Sequence, residues 1–184
     1  MHLLEYYYKK IIRYDLINKF PKNNNLKKIP KLKKIVLNLG CENLDLKKFL
    51  SNALFLELCA SSDAKITRYR KSDIVLQIRK GTPAGCKAVL KGKLMYSFLN
   101  KLLSDIFPRI ESFKKLSLRK KSLSTYLSFS IEEIAPAFSE FEEHYDTLDG
   151  ANLPKLDVTL VTDSTSKEEF MFLIESFKLP VSVN

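Results

Sequence analysis

The stretch "RKGTPAGCKAVLKG" (79–92) gathers three of the chain's five glycines, Gly81, Gly85 and Gly92, among Arg79, Lys80, Lys87 and Lys91. Glycines beside cations can ring a phosphate, but the nucleotide-binding loop needs G-x-x-x-x-G-K-[ST] running into a helix. Here three residues separate Gly81 from Gly85, Cys86 precedes Lys87, and Ala88 stands where a magnesium-holding hydroxyl would be. The residues after Gly85 read as strand, so this is no nucleotide loop. "TRYRKS" (67–72) offers a different chemistry: Arg68, Arg70 and Lys71 interleave with Tyr69. Guanidinium forks suit phosphates, and an aromatic ring can stack on a base or ribose. On a strand Arg68 and Arg70 project to one side. Simple packing would explain Tyr69 equally well; the arginines point to RNA.

Catalysis finds no comparable setting. "EFEEHYD" (140–146) surrounds His144 with carboxylates, and its ordinary reading is a solvated acidic loop. Cys41, Cys59 and Cys86 form no C-x-x-C pair, and His2 and His144 lie far apart. Neither a zinc site nor a disulfide framework follows, and a reducing compartment is the natural setting. No nucleophile has a recognisable local partner. The sequence therefore leads us to expect no catalytic residue, no metal and no cofactor.

Charge carries more information. Residues 1–121 hold 28 Lys and Arg against 9 Asp and Glu, whereas 122–184 hold 3 against 12, within a net charge of +10. Such segregation points to one surface built for a polyanion and another facing away from it. No apolar run approaches the roughly 20 residues that cross a bilayer, so no membrane partner is expected. The first 20 residues are amphipathic but contain Glu5, Asp15 and a single arginine, which fits neither a secretory signal nor a transit peptide. Heavy use of Lys, Asn, Ile, Phe and Tyr without Trp suits an AT-rich genome such as an organelle's.

The elements that must position these residues follow from periodicity. Leu3, Leu4, Tyr7, Tyr8, Ile11, Ile12, Leu16 and Phe20 recur at helical spacing, and "PKNNNLKKIPK" then breaks the helix. "LKKIVLNLG" alternates, with Ile35, Leu37 and Leu39 on one face and Lys34, Val36 and Asn38 on the other. Asp45 can cap a second helix with an apolar stripe of Leu46, Phe49, Leu50, Ala53 and Leu54. "AKITRYRKS", "VLQIRKG" and "GCKAVLKG" read as short β-rich runs, the first and last as antiparallel neighbours. A third helix runs from about Lys93 to Ile106, with Met95, Phe98, Leu99, Leu102, Leu103 and Ile106 inward, and should stop near Pro108. "TYLSFSI" and "KLDVTLVT" alternate again. Ser166 and Glu169 form a capping box for a final helix striped by Phe170, Leu173, Ile174 and Phe177, ended by Pro180. The expected fold is α+β: a mainly antiparallel sheet with helices packed on one face, in a single domain over 1–184. Its basic part, 1–121, would face RNA, and 122–184 forms an acidic part.

"IPKLKKIVLNLG", "ITRYRKS", "IRKGTPAGCKAVLKGKLMYSFLNKLL", "FPRIESFKKLS" and "LDVTLVT…SKEEF" stand in an order and spacing that resembles large-subunit ribosomal protein five, the universal 5S-rRNA-binding family. The resemblance covers nearly the whole chain. It implies an α+β domain in the central protuberance of the large subunit, without catalysis. The family's sheet docks on 5S rRNA, and a loop between strands reaches towards the elbow of peptidyl-site tRNA. Its outer side forms half of a bridge to small-subunit protein thirteen. Carried over by position, Lys33, Lys34 and Asn38 on the first strand are expected rRNA contacts, as are Lys87 and Lys91 after the glycine turn. Arg68, Arg70, Lys71, Ser72, Arg79 and Lys80 correspond to the tRNA-facing loop and its stems. The implied partners are 5S rRNA or a replacement rRNA, large-subunit rRNA, peptidyl-site tRNA, neighbouring central-protuberance proteins and small-subunit protein thirteen. Gly81, Pro83 and Gly85 are then expected to form a strand-to-strand turn.

The departures are informative. The family's Gly-Gln-Lys-Pro before the second strand is Ser61, Ser62, Asp63 and Ala64 here. Its threonine-leucine-arginine run is Val89, Leu90 and Lys91, which removes a hydroxyl and a guanidinium fork. Its glycine-rich D-G-R-G-N-Y loop is "SLSTYL" (122–127), preceded by "RKK" (119–121). Divergence of this kind points to a ribosome of the mitochondrial matrix, with another organelle or a bacterial cytoplasm as alternatives. The rival reading, a free-standing RNA-binding module outside any ribosome, is disfavoured because K/R-G-F/Y-G/A-F-V-x-F/Y is absent.

Overall fold

The computed structural model describes residues 3–20, 29–41, 46–75, 78–110, 116–118, 125–132, 138 and 155–183. The proposed Asp45 cap, the basic 119–121, the loop residues 122–124 and the acidic run 140–146 with His144 lie outside them.

The chain opens with α1 (Leu3–Tyr7), a π-helical turn (Tyr8–Ile12) and α2 (Arg13–Lys19). β1 (Leu32–Gly40) follows, then α3 (Leu46–Ala60), β2 (Lys65–Arg68) and β3 (Pro83–Leu90). α4 (Gly92–Lys101) continues through a second π turn (Leu102–Ile106) into α5 (Phe107–Arg109). β4 (Leu116–Leu118), β5 (Tyr126–Ile131), β6 (Leu156–Thr162), α6 (Lys167–Ser176) and β7 (Val181–Val183) complete it. The main sheet has the order β2-β3-β1-β6-β5, and β4 pairs with β7 in parallel.

Bonds at the strand ends give each neighbour its direction. β2 and β3 pair antiparallel. The Cys41 N–H donates to Ala84 O, joining the end of β1 to the start of β3. Asp163 N–H to Lys31 O and Thr162 N–H to Thr125 O do the same for β6 against β1 and against β5. All four pairs of the sheet are thus antiparallel, and the expected α+β class holds.

The alternation read from the sequence is the alternation of burial. Ile35, Leu37 and Leu39 are fully buried, as are Leu156, Val158 and Leu160, while Val36, Asn38, Asp157 and Thr159 are half-buried. The chain groups into two compact units, each built from separate segments: 1–35, 91–129 and 159–184 in one, 36–90 and 130–158 in the other. In the first, Tyr8 stacks on Phe177 and donates its hydroxyl to Pro30 O, and Phe20 meets Phe172 edge-on. The capping box at Ser166 and Glu169 is present, and Phe170, Leu173, Ile174 and Phe177 are buried. In the second, α3 packs on β3 and Phe55 meets Phe138 edge-on.

Three expectations need correction. Phe49 is buried, but Leu50 and Leu54 are 60% and 55% exposed. The inward face of α3 belongs to Ser51, Asn52, Phe55, Leu56 and Cys59; a surplus of leucines on both faces puts the apparent stripe out of phase. At the N-terminus Ile12 and Leu16 are buried while Leu3 and Ile11 face out. Leu3 precedes the π turn and Ile11 lies within it, while Ile12 and Leu16 keep the expected inward face. The third helix does end beside its proline: it closes at Arg109, one residue past Pro108, and Ile110 is already extended. No strand forms in the described part of "VLQIRKG" beyond a single bridge between Asp73 and Ile78.

Candidate nucleic-acid interface

Cys86, Ala88 and Leu90 are fully buried on one side of β3, so Lys87 and Val89 face the other way, and both are exposed. The antiparallel register sets Lys65 of β2 opposite Lys87 and Thr67 opposite Gly85. On the far side of β3, the antiparallel register set by the Cys41 N–H to Ala84 O bond brings Asn38 opposite Lys87. A row Lys65–Lys87–Asn38 therefore crosses three strands on the open face, with Thr67 and Val36 beside it. Thr67 Oγ1 donates to Gly85 O at 2.9 Å, which spends that hydroxyl on the sheet itself.

Gly85 lets the row form. A Cβ there would collide with Leu39 O, so only glycine allows β3 to lie this close to the end of β1. It is a close-approach residue inside a strand, not part of the turn. The turn belongs to Gly81, whose φ of +91 disfavours any side chain, and whose N–H donates to Tyr69 O at 2.9 Å.

Beyond β2 and β3 the two arms continue as a narrow hairpin. Tyr69 N–H donates to Thr82 O at 3.0 Å, and Asp73 and Ile78 exchange two bonds of 2.9 Å. Asp73 also accepts from Val75 N–H at 3.0 Å, bending the chain into its tip. Ile74 and Val75 there are 92% and 90% exposed. Arg68, Arg70, Lys71 and Ser72 on one arm and Arg79 and Lys80 on the other are all exposed. Tyr69 is half-buried, which suits a packing role more than a stacking one.

The remaining expected contacts sit elsewhere. Lys33 approaches Asp163 Oδ1 at 3.9 Å with both groups more than half exposed, an ion pair of little weight. Lys34 is half-buried on β1, and Lys91 is exposed in extended backbone just before α4. These three belong to the first unit, whereas Asn38, Lys87 and the hairpin cations belong to the second. Lys65 is a candidate that sequence reasoning misses, although it lies two residues before Thr67 in an alternating run and stands opposite Lys87 in the sheet. Cys86 is no nucleophile: burial pushes its thiol up to about 11. Among the described residues no cluster of potential metal ligands occurs, and no helix is long and apolar enough to cross a membrane.

A family model describing the C-terminus of the ribosomal L5 family matches residues 83–181. The large ribosomal subunit protein uL5m of Reclinomonas americana is 34% identical over 187 residues, covering 99% of both chains. The uL5 protein of Blochmanniella floridana is also 34% identical, over all of this chain and 95% of its own. That of Wigglesworthia glossinidia brevipalpis is 35% identical over 179 residues, 95% of this chain and 96% of its own.

Proposed function

Because the chain belongs to the family of large-subunit ribosomal protein five, we propose that its open sheet face docks on 5S rRNA, or on the rRNA that replaces it, in the central protuberance. The chain is a structural constituent of the large ribosomal subunit and not an enzyme. One observation carries the docking reading: Lys65 and Lys87 stand directly opposite each other on exposed neighbouring strands. Like charges so placed cost stability, and a phosphate between them turns that repulsion into two charge-assisted contacts. Asn38, next in the row, brings an amide that can donate and accept. Val36 and Val89 offer apolar surface to ribose.

The hairpin is the part that meets peptidyl-site tRNA. Its cations (Arg68, Arg70, Lys71, Arg79 and Lys80) straddle the tip and bind phosphate without reading sequence, and Ile74 and Val75 press on sugar or base. The acidic 132–149, unsuited to phosphates, faces a basic protein, with small-subunit protein thirteen as its partner across the subunit boundary. Large-subunit rRNA and neighbouring central-protuberance proteins complete the surroundings. The ribosome is a mitochondrial one, a reading supported by the uL5m relative and by the sequence departures, although bacterial relatives are equally similar.

Cosedimentation of the native protein tests the assignment. It should travel with the large subunit of the mitochondrial ribosome at low salt; recovery as free protein would contradict the reading. For the hairpin, hydrogen exchange of 71–75 should slow when peptidyl-site tRNA is added to empty ribosomes. Equal protection in both states would remove tRNA from the account.

A further inference from the structure

The three tyrosines at 6–8 have divided roles. Tyr8 is turned inward, stacked on Phe177 and bonded to Pro30. Tyr6 is 51% exposed, and Tyr14, two turns on, is 59% exposed. Lys10 lies between them and is exposed too. In an unbroken α-helix each four-residue step rotates a side chain by about 40°. Tyr6, Lys10 and Tyr14 follow one another at four-residue steps across the π turn at Tyr8–Ile12 and are all exposed, so they form an aromatic–cation–aromatic row along one side of the helix. Leu3 and Ile11, 75% and 46% exposed, flank it.

We propose that this row is a second RNA-binding face, which holds a single-stranded segment of rRNA independently of the sheet. Charge complementarity decides the occupant. Glu5 is already held by Lys9 at 2.6 Å, and among the described residues Lys10 has no acidic partner. Asp15, also exposed on α2, is the one acid of this face left over among the described residues, and Arg13 and Lys10 outnumber it. A protein covering the row would bury the Lys10 ammonium between two apolar rings, which is costly without a matching acid. An RNA strand offers each group what it needs: a phosphate for Lys10, and an unstacked base for each ring. The rings sit about 12 Å apart along the axis at roughly 1.5 Å per residue, a span that a strand of a few nucleotides bridges.

The inference rests on the RNA-binding reading only in supposing rRNA nearby, and the two fail separately because their residues lie on different elements. The test uses the full chain and a single-stranded RNA of about 12 nucleotides at low salt, long enough to span an RNA-binding groove. Tyr6→Ala with Tyr14→Ala should weaken binding at least tenfold, since one stacked base is worth about that much or more. Tyr6→Phe with Tyr14→Phe should keep it, and Lys10→Gln should lower the log–log salt slope by roughly 0.7, one phosphate's share for a single strand. In the background of Lys65→Ala with Lys87→Ala, the loss caused by the tyrosine pair should persist in full, because the two surfaces act independently. Wild-type affinity in the double alanine variant would overturn the proposal. So would disappearance of the tyrosine effect in the sheet variant, which would place the strand on the sheet. Weaker association with a large-subunit protein in the tyrosine variant, with RNA binding intact, would assign the row to a protein and overturn it as well.

Discussion

β3 and the hairpin beyond it both present exposed cations, yet they hold them in opposite ways. Lys87 rises from a strand whose alternate residues, Cys86, Ala88 and Leu90, are fully buried, and whose neighbours on both sides are hydrogen-bonded. Arg70, Lys71, Arg79 and Lys80 rise from arms joined by a few backbone bonds, and none of the described residues from Arg68 to Ala84 is buried. A side chain on the first surface has its position set before any ligand arrives. On the second, few buried contacts oppose local opening, so position is left for a ligand to settle. A fixed row suits an RNA that stays in place throughout the life of the particle. An adaptable tip suits a ligand that comes and goes.

The contrast can be broken first at its foundation. Leu37→Ala, beneath the open face, should cost about 3 kcal/mol, as deletion of a fully buried leucine does. Ile74→Ala, at the tip, should stay within about 0.5 kcal/mol of wild type. Urea unfolding checks both, and a tip variant as damaging as the core variant would erase the distinction. Gly85→Ala comes next, at about 2 kcal/mol, because β3 must move away from Leu39 O. It should also weaken 5S rRNA binding by pulling Lys87 away from Asn38, whereas Gly81 substitutions should spare it.

A third effect is alkaline. Burial raises the Cys86 thiol to about 11 from 9.0 and the Tyr96 hydroxyl to about 12 from 10.0. Both groups are neutral when folded, so their contribution is full below the unfolded values and is lost as pH climbs through the folded ones. Stability should fall between pH 9 and 12, the interval bounded by those values, and Cys86→Ala should flatten the curve between 9 and 11 whatever it does to the baseline.

Much of the fold is legible in the sequence where one periodicity dominates. β1 and β6 alternate cleanly because each has one buried face, and the Ser166–Glu169 box marks its helix by local chemistry alone. α3 resists because leucines at 50, 54 and 58 look like a core stripe yet remain exposed. The N-terminal helix is legible at Ile12 and Leu16 but not at Leu3 and Ile11, which remain exposed although their spacing fits the stripe. At the candidate site, the cations of "TRYRKS" and Lys87 are visible as types, but their partition between a fixed row and a projecting tip is not. That partition depends on Gly85, whose need for glycine comes from Leu39, 46 positions away in the chain and adjacent only in the sheet. Lys65 escapes notice for the same reason: its importance lies in standing opposite Lys87.

The most direct test is the salt dependence of binding to isolated 5S rRNA for two paired variants, Lys65→Ala with Lys87→Ala and Arg79→Ala with Lys80→Ala. Each phosphate left without its cation should reduce the log–log slope by roughly 0.7 to 0.9. The account predicts a fall of about 1.5 for the sheet pair, at that same share per lysine, and no change for the hairpin pair, whose phosphates belong to tRNA. An unchanged slope in the sheet pair, or an equal fall in both, would contradict it.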